Sequence, residues 1–315
     1  MDYTILGRTR IPVSVIGVGS GGPSRMGMRT GRSRKESVAL MHLAAENGVN
    51  FIDTAEAYGT EELVGAFLRE VQRESMVVST KISYWEELDA EGYEAAVTER
   101  LRILGVDYLD VCHFHAVEPD RYEELVSRLL PVAERLKERG VIRAVGITER
   151  FIPDPGHAML ERAVSDPYWD VVMVGYNLLN QSARELVLPA TRRAGIGVLA
   201  MFAVRLALSR ADRLQETVRD LIASGQLTEA DLAAAGGSLE DPLGWVVEES
   251  DADSLPEAAY RFVRHTDGVH VTLTGTGDRE HLLANIRAAQ LPPLPPQVVA
   301  KLRTLFGRVR TVSGQ

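Results

Sequence analysis

A chain of 315 residues with 45% hydrophobic and 25% charged residues, at a mean hydropathy of −0.06, has the composition of a soluble globule with a core that needs no staples. Its single cysteine, Cys112, excludes an intrachain disulfide framework and a cysteine-rich zinc site, and a net charge of −9 argues against a nucleic-acid partner. The uncharged run 194–204 falls short of the roughly 20 apolar residues of a membrane span, and the opening MDYTILGRTR lacks the apolar stretch of a signal peptide, so a cytoplasmic protein without a membrane partner is expected.

In chain order, YTILG and RTRIPV read as a short hairpin. Strands are then predicted at 13–18, 50–53, 76–81, 108–115, 142–147, 171–176, 196–201 and 269–274. Most are continuous apolar runs, as strands buried on both faces of a parallel sheet require. The segments between them have helical patterns. Ser33 with Glu36 and Ser182 with Glu185 read as capping boxes, and Asp120 with Glu123 imitates one. Gly48, Gly105, Gly140 and Gly195 fall where a left-handed C-cap is wanted, and Pro131 predicts a kink. Eight strand-then-helix units argue for one α/β domain over 1–315, a closed (β/α)8 TIM barrel, rather than a doubly wound sheet. The last interval is longest and holds an insertion, 205–255, after the seventh strand. Pro292, Pro293, Pro295 and Pro296 lead into a C-terminal helix over 297–307.

Charge is unevenly spread. Residues 211–254 hold eleven acids against Arg213 and Arg219, which accounts for the whole net charge. The helical stretches ADRLQETVRDLIASG and TEADLAAAGG in this segment have apolar faces, and a loop after a barrel strand emerges on the catalytic face. The expectation is a helical cover over the cleft that disfavours anionic substrates and favours neutral sugars or cations, with a decoration packed on the outer helices as the alternative. The converse patch, Arg25, Arg29, Arg32, Arg34 and Lys35, reads first as a solvated loop and second as an anion site.

Barrel active sites lie at the carboxyl ends of the strands. Asp53 ends the second predicted strand, Tyr58 follows it, Lys81 ends the third and His115 the fourth. Neighbouring strands are about 4.8 Å apart, so these ends converge within roughly 10 Å. Tyrosine, with a reference pKa near 10, becomes a usable acid beside an ammonium that stabilises its phenolate. Asp53 would hold Lys81, and His115 would donate to a carbonyl oxygen or relay a proton. Singly, each residue has a plainer role, as a helix cap, a strand-end charge or a loop aromatic. Jointly they suit carbonyl reduction and its reverse. His113 reads as a satisfied packing histidine and Cys112 as a small buried hydrophobe. Gly17-x-Gly19-x-x-Gly22 matches a dinucleotide fingerprint, but the next helix starts only near Ser33 and no acid follows about twenty residues on. These glycines more simply let the loop pass close to cofactor and substrate.

The stretches LGRTRIPVSVIGVGS, FIDTAEAYG, VVSTK, VDYLDVCHFH, VIRAVGIT and TGTGDREHLLANI resemble the aldo-keto reductase family, in the family order and over most of the chain. The resemblance implies a catalytic tetrad of Asp53, Tyr58, Lys81 and His115, with the family pattern selecting His115 over His113. It implies NAD(P)(H)-dependent interconversion of an aldehyde, ketone or sugar with its alcohol, NADP(H) slightly ahead of NAD(H), and no metal. Cofactor positions carried over are Gly19, Asp53, Thr148, Met173, Met201, Phe202, Arg205, Gly275, Gly277, Arg279, His281 and Asn285. Several depart from the family. Thr148-Glu149 replaces Ser-Asn, Met173 the nicotinamide glutamine, Met201 the stacking aromatic, and His281 the 2′-phosphate arginine. Phe202 offers a substitute ring, Arg205 a pyrophosphate contact and Arg279 a replacement cation. Tyr84 and Trp85 are expected to line the substrate pocket, with a surface aromatic pair as the alternative. A cofactor-binding regulatory subunit, as in potassium-channel β-subunits, and a nicotinamide-free barrel isomerase or hydrolase using Asp53 and His115 are the alternatives. The former lacks the family's strand-4 histidine, which this chain keeps. Oligomeric state is left open.

Overall fold

The computed structural model describes residues 1–84 and 88–315. β1 (Tyr3–Ile5) and β2 (Pro12–Ser14) form an antiparallel hairpin with Tyr3 opposite Ser14. The predicted first strand divides here: Val13 belongs to the hairpin, and the barrel begins only at β3 (Ile16–Gly19). The Ser14 hydroxyl explains the break, since it donates to the Ile16 carbonyl at 2.7 Å and turns the chain locally.

β3, β4 (Phe51–Asp53), β5 (Val77–Ser83), β6 (Leu109–Val117), β7 (Ile142–Glu149), β8 (Val171–Gly175), β9 (Gly197–Met201) and β10 (Val271–Thr274) pair in parallel and close between β10 and β3. This is the expected (β/α)8 barrel with its N-terminal hairpin. Leu6 and Ile11 of the hairpin pack with Phe51, Val77, Val111 and Val271, which start their strands or lie low in them. The amino end of the barrel is thereby plugged with apolar side chains. Gly7 makes this possible, because a Cβ there would lie 2.3 Å from the Gly197 nitrogen. Only the carboxyl end is left for polar chemistry.

The helices wrap the barrel: α1 (Arg34–Glu46), α2 (Glu61–Leu68), α3 (Ala90–Leu104), α4 (Tyr122–Arg128), α5 (Leu130–Glu138), α6 (Ala158–Ala163), α7 (Ala183–Leu186) and α8 (Leu188–Ala194). α1 starts with the expected capping box between Ser33 and Glu36. Ser182 forms none, because its hydroxyl is held by the Asn180 side chain at 2.6 Å. Nor does Asp120, which sits inside a 3-10 turn one residue ahead of the α4 N-cap, Arg121. Pro131 divides α4 from α5, since it fits only the first turn of a new helix.

The insertion supplies α9 (Leu206–Ser209), α10 (Ala211–Ala223), α11 (Glu229–Ala235) and α12 (Gly244–Ser250). α13 (Leu255–Arg264), α14 (Arg279–Ala288) and the C-terminal α15 (Pro296–Phe306) complete the chain. α11 and α12 contact α15, and Glu249 of α12 pairs with Lys301 at 2.7 Å. Beyond α15 the chain returns over the ends of β8 and β9, where Asn177 and Asn180 donate to the Ser313 and Val312 carbonyls. Among the described residues, no helix is long and apolar enough to cross a membrane, and no group of metal-ligating side chains forms.

Candidate active site

Asp53 at the end of β4 and Lys81, two residues before the end of β5, face inward and meet. Both are buried, and the Lys81 ammonium donates to Asp53 Oδ2 at 2.5 Å and to the Thr54 carbonyl at 2.7 Å. The Ser79 hydroxyl donates to the other Asp53 oxygen at 2.9 Å. Burial works against charge on Lys81, but Asp53 first and Tyr58 second outweigh it, so the ammonium is held above its usual range. Burial likewise pushes the Asp53 carboxyl up, which Lys81 partly offsets.

Tyr58 ends the 3-10 turn after β4, and Gly59, at φ 66°, releases the chain into α2. The Lys81 ammonium lies 4.7 Å from the Tyr58 ring centroid. His115 meets the same ring edge-on at 5.5 Å. Burial first, then Lys81 and Arg25, pull the His115 imidazole down to about 3, so it is neutral at physiological pH. β6 runs past His115 to Val117, and Ala116 at φ 53° marks an irregularity there. The four sequence-derived residues therefore converge.

His113, opposite Lys81 and Gly146 in the sheet, is fully buried, but neither ring nitrogen has a partner. It packs as expected; it is not satisfied. Cys112 is buried beside the Tyr93 hydroxyl, its thiol pushed up to about 12 by burial. The glycines after β3 serve close approach: a Cβ on Gly21 would lie 2.3 Å from Tyr58 Cε2, and one on Gly275 would lie 2.7 Å from the Gly19 carbonyl oxygen.

At the ends of β7 to β9 the Thr148 hydroxyl accepts from the Ala116 N–H at 2.7 Å. Glu149 is buried and accepts from the Gly175 N–H at 2.7 Å and from His157 Nδ1 at 2.9 Å. The Phe151 ring stacks on His157 at 5.4 Å and on Phe202 at 6.0 Å, and the Arg205 guanidinium lies 4.0 Å from the Phe202 centroid. Sequence reasoning missed His157 and Phe151. The seven residues between Glu149 and His157 carry no periodicity, and only the acid at a strand end hinted at a partner. Met173 belongs to the apolar barrel interior, with Met201 packed against that layer.

Arg205 has its pKa lowered to about 10 by burial, and its Nη1 is buried without a partner while another nitrogen reaches Gln315. Gly277 packs against Gly27, and Asp278 caps α14 by accepting from the Glu280 and His281 N–H groups at 2.9 Å. Arg279 and His281 are exposed on its first turn, and Asn285 donates to the Thr274 hydroxyl at 2.9 Å. Tyr84 is half-buried against the outer core, and Trp85 lies outside the described residues.

A model of the aldo/keto reductase family matches residues 15–306. An L-galactose dehydrogenase of Arabidopsis thaliana is 29% identical over 64% of this chain and 64% of its own length. A D-threo-aldose 1-dehydrogenase of a Pseudomonas species is 28% identical over 53% of this chain and 59% of its own. The chain thus spans less than two thirds of either relative. The holo form of an aldo-keto reductase from Bacillus halodurans superposes at a TM-score of 0.72 with 22% identity, over 99% of this chain and 97% of that one.

Proposed function

Since the chain belongs to the aldo/keto reductase family, we propose that it is a nicotinamide-dependent oxidoreductase interconverting a small aldehyde, ketone or sugar with its alcohol. One observation carries the reading: Tyr58 stands between the Lys81 ammonium, itself ion-paired with Asp53, and a neutral His115. Tyr58 is the proton donor to the carbonyl oxygen and, in reverse, the acceptor. Lys81 stabilises the phenolate left behind, and Asp53 keeps that ammonium charged and fixed. His115 is a neutral hydrogen-bond donor that orients the carbonyl. The nicotinamide-free reading with Asp53 and His115 as acid and base is disfavoured, because both Asp53 oxygens are already engaged by Lys81 and Ser79.

The residues fit the dinucleotide best at its phosphates. Arg205 presents a buried guanidinium nitrogen without a partner, a vacancy an anion would satisfy. At Gly19 a Cβ would meet only the Thr274 carbonyl oxygen, at 3.7 Å, so the backbone there stays open to close approach. Asp53, Thr148, Met173, Met201 and Phe202 would border the nicotinamide, and Gly277, Arg279, His281 and Asn285 the adenosine, with NADP(H) slightly ahead of NAD(H). When bound, the cofactor supplies or accepts the hydride. Tyr84 is proposed to line the substrate pocket, and the helical insertion 205–255 to lie over the catalytic face. The activities after which the two relatives are named, on L-galactose and a D-threo-aldose, support small oxygenated substrates.

The test is a fluorescence titration with NADPH and NADH, followed by turnover of a panel of sugars and aldehydes. Cofactor binding with turnover is expected. Binding without turnover of any carbonyl would favour a regulatory subunit, and no binding a nicotinamide-free barrel.

A further inference from the structure

Of the five cations in the basic patch, Arg32 faces Asp278 at 3.8 Å and Arg34 pairs with Glu62 at 3.0 Å. Arg25 behaves differently. It turns inward, and its Cζ lies 5.0 Å from the centroid of the Tyr58 ring. Nη1 donates to the Gly21 carbonyl at 2.7 Å, Nε is buried without a partner, and no carboxylate pairs with it among the described residues. The guanidinium lowers the His115 pKa, so its field reaches the second polar group of the site.

Its position is built rather than accidental. Arg25 and Met26 both have left-handed backbone, at φ 49° and 56°, a conformation strained for residues other than glycine. Met26 offsets this by burying its side chain in the outer core, and Gly27 docks on Gly277, where a Cβ would meet it at 2.4 Å. Lys81 is neutralised by Asp53. Arg25 is therefore an uncompensated positive charge at the candidate proton donor.

Resting on the reading of Tyr58 as that donor, we propose that Arg25 is a substrate-specificity residue that selects carbonyl compounds bearing an anionic group, a carboxylate or a phosphate, a few atoms from the carbonyl. A guanidinium this close to the Tyr58 ring is within a small molecule's reach of the carbonyl that the hydroxyl addresses. An anion there pairs with the half-buried guanidinium, whereas a neutral substrate leaves it unpaired. The acids of 211–254 do not cancel it: none pairs with Arg25, and Glu249 is directed to Lys301.

Two matched substrate pairs test this: succinic semialdehyde against butanal, and glyceraldehyde 3-phosphate against glyceraldehyde. The full chain with its cofactor should prefer at least one anionic member by tenfold or more in kcat/KM, and which one identifies the anion. Arg25→Leu should lower that preference at least tenfold, mostly through KM, and Arg25→Lys should retain part of it. No preference in the wild type, or an equal loss on both members of a pair, would overturn the proposal; equal loss would mean that Arg25 only positions Tyr58. If no substrate turns over, the oxidoreductase reading fails separately. Calorimetric titration with succinate and inorganic phosphate then decides the site by itself: Arg25-dependent binding supports it, and binding that is absent or unchanged in Arg25→Leu overturns it.

Discussion

A Cβ added to Gly146 would lie 2.2 Å from Nδ1 of His113, so the glycine on β7 is the space the β6 imidazole occupies. The ring is fully buried and cannot give way outward. Gly146→Ala is expected to destabilise the fold by about 1–3 kcal/mol through overpacking, measured by urea unfolding. Adding His113→Ala should restore part of that loss, and a double variant no better than Gly146→Ala would show that the clash is elsewhere.

Tyr58→Phe removes the proposed proton donor and little else. It should lower kcat by about 100-fold or more and leave NADPH affinity nearly unchanged. Steady-state kinetics with a cofactor titration checks both, and activity within a few-fold of wild type would remove Tyr58 from the chemistry.

Asp53→Asn strands the Lys81 ammonium in a fully buried position. Breaking one side of such a pair costs about 3–5 kcal/mol. Asp53→Asn combined with Lys81→Met should unfold at higher urea than Asp53→Asn alone, because the second change removes the uncompensated charge.

The His115 pKa falls from 6.5 in the unfolded chain to about 3 in the fold, so the unfolded state takes up the proton first. Its contribution to stability is complete above pH 6.5 and is lost as pH falls through that window toward 3. Relative to wild type, His115→Phe should gain stability as pH is lowered through that window, as read from unfolding midpoints. A kcat profile with no break near 6.5 is expected for the same reason.

Arg279 is the exposed cation nearest the start of α14. If it grips a 2′-phosphate, Arg279→Ala should weaken NADPH binding by about 1–3 kcal/mol and leave NADH untouched. Equal wild-type affinities for the two cofactors would mean that no such grip exists.

Local patterns were enough to place most of the barrel. The strands predicted at 142–147 and 171–176 start where β7 and β8 start, and Gly105 and Gly195 take the left-handed C-cap conformation at φ 69° and 68°. Backbone sterics and burial act over a few residues, so a sequence displays them directly. The Ser182 box failed because a tertiary partner, Asn180, held the hydroxyl.

The convergence of Asp53, Tyr58, Lys81 and His115 was legible because parallel strands are regular: once the strand ends are known, so is which side chains meet. What surrounds the tetrad was not. Arg25 read as one more charge in a solvated run, and only the left-handed turn and buried Met26 direct it onto Tyr58. Glu149 meets His157 and Gly175 through a loop without periodicity, and the chain's last residues reach Asn177, Asn180 and Arg205 across more than a hundred positions. By itself the sequence determined the elements, their order and the inward-facing strand-end residues, because those follow from short-range backbone preferences and strand alternation. Only the tertiary structure decided which loop charges are neutralised and which face the site, because that depends on where irregular backbone is packed, and contacts between distant segments have no local signature.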